Sequence, residues 1–197
     1  MDKSENAFYG VVMIIFILTA FLISKSKKYA IKPVFKAYAL YPLFAIELLY
    51  WFIQINTFMG NYYFIRFSTY ISSAYMVVLF LPIFLYKLYK PALVGSGMVL
   101  FGTVLNKIAM YSNGGRMPVY PTLSRLTGYY KEGAINTDTV HILGNSSTKM
   151  KVLTDYFDIG WSILSFGDIC IHSFVLIMVY YSIKAINQTT RNEVNYA

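Results

Sequence analysis

Asn113-Gly114-Gly115-Arg116-Met117-Pro118-Val119 stands where a series of apolar segments gives way to the one extended polar region of the chain. Two glycines let the backbone take positive φ or bring amides close to a ligand, Arg116 supplies a charged fork, and Pro118 fixes the exit from the turn. The stretch has two readings. As a helix C-cap, Asn113 or Gly114 turns left-handed to end the preceding helix, and Pro118 prevents its continuation. As a binding turn, Arg116 and the amides of Gly114 and Gly115 hold a carboxylate, phosphate or lipid headgroup at a membrane surface. The nearby Tyr111, Tyr120, Tyr129 and Tyr130 read most simply as interfacial anchors.

Working outward, a membrane helix needs roughly 20 mostly apolar residues. The chain offers such segments at 7–24, 37–57, 67–86 and 91–111 before the turn and at 160–186 after it. Residues 112–159 are polar and mixed in charge. The expected fold is therefore all-α: a single integral membrane domain over 1–197, a polytopic bundle of about five transmembrane helices with a long outer loop. Within that loop, Pro121 opens a short interfacial helix carrying Leu123, Leu126 and Tyr130 on one side. A second short helix is expected over 148–157, with an irregular stretch over 133–147 between the two.

Composition points the same way. Of 197 residues, 57% are hydrophobic, 18% aromatic and only 13% charged, more apolar surface than a soluble core absorbs. The net charge of +8 comes largely from lysines flanking apolar segments, where they orient helices and face anionic lipid, so nucleic acid is not an expected partner. Asp2 and Glu5 precede the first segment; Lys25, Lys27, Lys28, Lys32 and Lys36 follow it. Lys87, Lys90, Lys184 and Arg191 repeat the bias. The expectation is a plasma-membrane protein with its N-terminus outside and its C-terminus in the cytoplasm. The first apolar run has its charges after it and no small-residue cleavage site, unlike a signal peptide.

The single Cys170 excludes an internal disulfide, a CxxC pair and a cysteine zinc cluster. No cofactor is expected. Ala92, Gly95, Ser96, Gly97, Gly102 and Thr103 crowd the fourth segment, and small residues there form a face on which two membrane helices approach closely. Their spacing is that of neither a Walker nor a dinucleotide loop.

Three ionisable residues fall within predicted spans: Glu47, Lys107 and Asp168. Lys107 lies about one turn from a helix end and can snorkel. Asp168 is placed on the order of 12 Å below the outer boundary by a helix starting at 160. His172, four residues on, shares its face, a spacing that suits a hydrogen-bonded pair, a proton relay or metal ligation. Two groups do not make a metal site, and none is expected. Glu47 completes a polar pocket if its helix is adjacent. In the outer loop Asp138, His141, Asp155 and Asp158 are the remaining candidates for acid, base or ligand roles, without the spacing of any catalytic motif.

The order Asn113-Gly114-Gly115-Arg116-Met117-Pro118-Val119, then His141, Thr148-Lys149, Leu153-Thr154-Asp155 and Ser165-Phe166-Gly167-Asp168 resembles an uncharacterised family of small bacterial multi-span membrane proteins, over the half from Val104 onward. That family's usual Leu-Gly-Asp is Leu153-Thr154-Asp155 here. No activity carries over. The resemblance implies that Asn113, Gly114, Gly115, Met117, Pro118, Asp155, Gly167 and Asp168 are the positions to test first.

The leading functional expectation is a non-enzymatic membrane protein that binds a small or lipid-derived anionic ligand at its outer face, as a permease or as the membrane subunit of a larger assembly. Asn113, Gly114, Gly115, Arg116, His141, Asp155, Asp168 and His172 would line the site. Membrane lipid and partner membrane proteins are the other expected contacts. The alternatives are a membrane enzyme that uses His141 with Asp155, Asp158 or Asp168 on lipid or peptide bonds, and a purely structural partner protein.

Overall fold

The computed structural model describes residues 9–59, 61, 63–130 and 140–196. Helix dominates it. α1 (Tyr9–Ser26) leads through two 3-10 turns (Lys32–Lys36 and Tyr38–Leu40) into α2 (Tyr41–Phe58). A 3-10 turn at Tyr63–Phe67 precedes α3 (Ser68–Val78) and α4 (Phe80–Leu85), and α5 (Tyr89–Ser112) follows. The polar region holds β1 (Met117–Val119), α6 (Leu123–Leu126), β2 (His141–Leu143), a 3-10 turn at Lys151–Leu153, β3 (Phe157–Asp158) and β4 (Ile163–Leu164). α7 (Phe166–Tyr196) closes the order.

Among the described residues three helical segments are long and apolar enough to cross a membrane: Tyr38–Asn56, Tyr89–Ser112 and Phe166–Thr189. The apolar part of α1, Val12–Ser26, is shorter. The expected span at 67–86 is broken in two at Leu79. Pro82 explains the break, because it has no N–H to give the carbonyl four residues back. The expected span at 160–186 begins instead at Phe166 and runs on to Tyr196.

α7 is the axis of the bundle, packing most extensively on α5 and then on α1. Ile17, Ala20, Leu40, Leu43, Leu79, Met178, Val179 and Ile183 fill the core between them. The small residues of α5 do what their spacing predicts at three positions. Ala92, Gly95 and Gly102 are buried, and a Cβ on Gly102 would run into the Gly167 carbonyl and lie 3.0 Å from Cβ of Cys170. Gly97 faces open space. Much of the outer surface of α5 is apolar and exposed, as at Leu93, Val94, Leu100, Phe101 and Val104. Side chains of that kind fit hydrocarbon rather than water.

The expected all-α fold thus becomes a helical bundle with a small β-containing cap. The predicted helix at 148–157 is a single 3-10 turn followed by extended chain, and the predicted helix after Pro121 shrinks to α6. Of the stretch expected to be irregular, 133–139 lies outside the described residues and His141–Leu143 is a strand. At the opposite end, Asn187 grips the loop after α1 through both amide atoms: Nδ2 donates to the Ala30 carbonyl at 3.0 Å, and Oδ1 accepts from the Ala30 N–H at 2.8 Å.

Candidate functional site

The cap is built on β1. β2 lies parallel to it, pairing Met117 with His141, Pro118 with Ile142 and Val119 with Leu143, while Asp155 bridges Val119 on the other side. Three extended segments therefore lie side by side with Met117, Pro118 and Val119 buried at the centre. A proline in a central strand calls for an explanation. Pairing on the Asp155 side begins at the Pro118 carbonyl, which accepts from the Asp155 N–H at 3.0 Å. The position where Pro118 would have needed an N–H lies opposite the 3-10 turn at Lys151–Leu153, before that pairing starts.

This register brings two predicted site residues together. His141 and Asp155 share the face of Met117 and Val119, because alternate residues of a strand point the same way. His141 Nε2 and Asp155 Oδ2 meet at 3.5 Å, with Asp155 buried and His141 about a quarter exposed. Arg116, half-buried and engaged with its surroundings, stands one residue before the position opposite His141.

Asn113, Gly114 and Gly115 form a built turn. Gly114 and Gly115 take φ of 72° and 84°, and the Gly115 N–H reaches back to the Met110 carbonyl at 2.8 Å, the six-to-one bond of a Schellman cap. The C-cap reading therefore describes the turn itself. Among the described residues nothing lies within 4 Å of where a side chain on either glycine would start, so φ and not crowding calls for glycine. Asn113 adds a clamp: Nδ2 donates to the Ala109 and Lys149 carbonyls at 2.8 and 3.0 Å, and Oδ1 accepts from the Lys149 N–H at 2.9 Å. The motif thus ties α5 to the far side of the cap.

Asp168 and His172 belong to the bundle. Asp168 is not deep within a span: it is the third residue of α7, and its N–H bonds to Ser165 Oγ at 2.9 Å while its Oδ2 accepts from the Ser165 N–H at 2.9 Å. This is a capping box with Asp in the acidic position. Asn106 of α5 locks it, donating to Asp168 Oδ1 at 2.8 Å and accepting from Ser165 Oγ at 2.7 Å. Both carboxylate oxygens are thereby used. His172, one turn further in, is buried with its ring 5.8 Å from that of Phe16 on α1. Lys107 is exposed. Asp138 lies outside the described residues.

Sequence reasoning offers Asp158 as a possible acid or base and passes over Asn106 altogether. Ser-x-x-Asp before an apolar run is the available signal for the α7 start. Asn106 has no such signal, because its partners are about 60 residues away. Among the described residues no group of three or more His, Cys, Asp or Glu side chains is placed to hold a metal.

The chain is thus mostly helical, with three segments long and apolar enough to cross a membrane and a polar cap at one end. The chain belongs to DUF5317, a family of unknown function, which it matches over residues 31–180. No curated protein and no solved structure matches it.

Proposed function

We propose that this chain is an integral plasma-membrane protein with five spanning segments, its N-terminus outside and its C-terminus cytoplasmic. Its outer cap binds a small or lipid-derived anionic ligand, in the role of a permease or of the membrane subunit of a larger assembly. The observation that carries this reading is the contact between His141 and the buried Asp155 on one small sheet, which follows directly on the uncrowded Gly114–Gly115 turn and Arg116. Arg116 supplies permanent charge and planar donors for a carboxylate or phosphate. Asp155 orients the imidazole, and Asn113 holds the turn against the rest of the cap. Asp168 and His172 are left out of the ligand shell, the first because Asn106 and Ser165 occupy it.

Thermal melts of the purified protein with inorganic phosphate, small carboxylates and glycerophosphate headgroups test the reading. A ligand at one hundred times its Kd adds about 2.7 kcal/mol. Wild type is expected to rise in Tm with at least one compound, and Arg116→Ala to lose that rise. Equal rises in both proteins, or none in wild type, overturn it.

The contact of 3.5 Å between His141 and Asp155 also favours a second reading, in which the oriented imidazole is a general base for attack of water on a lipid ester. Hydrolysis of a short-chain phospholipid by wild type, lost in His141→Gln with the fold retained, would support it over simple binding.

A further inference from the structure

The polar side chains that the cap does not account for lie inside the bundle, on α2. Glu47, Tyr50, Trp51 and Gln54 follow the spacing i, i+3, i+4, i+7 and so share one face. Glu47 and Gln54 are 4% and 5% exposed. Among the described residues, both carboxyl oxygens of Glu47, Nε1 of Trp51, Oε1 of Gln54 and the hydroxyl of Tyr75 on α3 are enclosed without a hydrogen-bond partner. Buried polar atoms are nearly always paired, so this concentration on one face calls for an explanation.

None of the elements around Glu47 supplies a counter-charge from the described residues. α1 presents the backbone of Ile14, which interacts with the Glu47 carboxyl but carries no charge. α3 presents Tyr75, which interacts electrostatically with Glu47, and α2 itself presents Tyr50, whose ring lies 6.3 Å from that of Tyr75. His172 of α7 interacts with Asp168 on its own helix and packs on Phe16. No lysine or arginine among the described residues pairs with Glu47. A bare carboxylate enclosed this way is strongly disfavoured. A proton removes that charge at the carboxyl itself, without a second charged group.

We propose that Glu47 is an intramembrane proton-binding site, carrying its proton while α1, α2 and α3 pack as seen and releasing it when that contact opens. On release the O–H bond breaks, the electron pair stays on the carboxylate, and the proton passes to water entering along the polar face. That face leads toward the cap: Gln54 lies about 10 Å along α2 from Glu47 and reaches Tyr129. The site is separate from the one proposed in the cap and stands or falls without it.

Infrared spectra of the full-length protein in lipid vesicles, with glutamate isotopically labelled, provide the test. At neutral pH wild type is expected to show the carbonyl stretch of a protonated carboxylic acid that moves with the label. The band should be absent in Glu47→Gln and displaced in Tyr75→Phe, and Glu47→Gln should melt like wild type because an amide mimics the neutral acid. A band that persists in Glu47→Gln, or no labelled band in wild type, overturns the proposal. Should Glu47→Gln not fold, the wild-type band and its displacement in Tyr75→Phe decide, and the absence of either overturns it.

Discussion

Asp158 accepts hydrogen bonds at Oδ2 from the N–H groups of Thr122 and Ser124 at 2.5 and 2.9 Å and from Ser124 Oγ at 2.7 Å, and at Oδ1 from the Gly160 N–H at 2.8 Å. It thus caps α6 from a distant strand, satisfying donors at a helix start that has no capping side chain of its own. Burial alone pushes its carboxyl up, but the donors from Ser124, Gly160 and Thr122 outweigh burial and hold it below the ordinary carboxylate range. A depressed folded-state value means that the stabilisation is present above the unfolded value and is lost as pH falls through the folded one. Asp158→Ala should cost about 1–2 kcal/mol, as for other helix caps. It should also flatten the acid limb of stability against pH, read by melts between neutral pH and pH 3. An unchanged acid limb would count against this role. A sequence offers Asp158 as a free acid because Thr122 and Ser124, which supply the donors to Oδ2, are more than 30 residues away; only the closed chain shows that they have claimed it.

At the scale of elements, the contact between α5 and α7 is the most demanding. Gly102 and Gly167 let the two backbones meet, and a Cβ on Gly167 would strike Oδ1 of Asn106. Gly102→Val should therefore force the helices apart, at about 1–3 kcal/mol for overpacking or more where backbone must move. Gly97→Ala, in open space on the same helix, should be neutral or slightly stabilising. Melts of the two variants in one detergent check the contrast, and similar losses in both would remove the packing argument. The small-residue face is legible in the amino-acid pattern alone, because close helix approach in a membrane has a composition of its own. The start of α7 is not. The apolar run beginning near Trp161 suggests a helix from 160, whereas Gly160, at φ 90°, turns the hairpin between β3 and β4.

For the whole molecule, most exposed charges among the described residues fall at two ends, with Arg66 and Lys107 on the helical segments besides. The cap carries Arg125, Lys149 and Lys151; the other end carries Lys25, Lys27, Lys28, Lys36, Lys87 and Lys90, close to where Asn187 grips Ala30. The proposed topology places the second end in the cytoplasm, where the lysine excess belongs. In a Cys170→Ser background, a cysteine at Asn145 should react with an impermeant thiol reagent on intact cells, and one at Lys87 only after permeabilisation. The reverse pattern would invert the topology, and equal reactivity would remove it.

The membrane class is legible in the residues alone, since apolar segments of spanning length and a polar region between them follow from composition and period. The sequence also marks Asn113 to Val119 as the hinge between them, because glycine and proline act through their own backbone. Which carboxylates are occupied emerges from the folded chain. Asp158 and Asp168 each take donors from far along the chain as well as from near neighbours, Asp155 meets His141 because both flank β1, and Glu47 is enclosed with no hydrogen-bonding side chain among the described residues. Whether a charge is paired depends on what the rest of the chain brings within about 3 Å. No local pattern of residues encodes that distance.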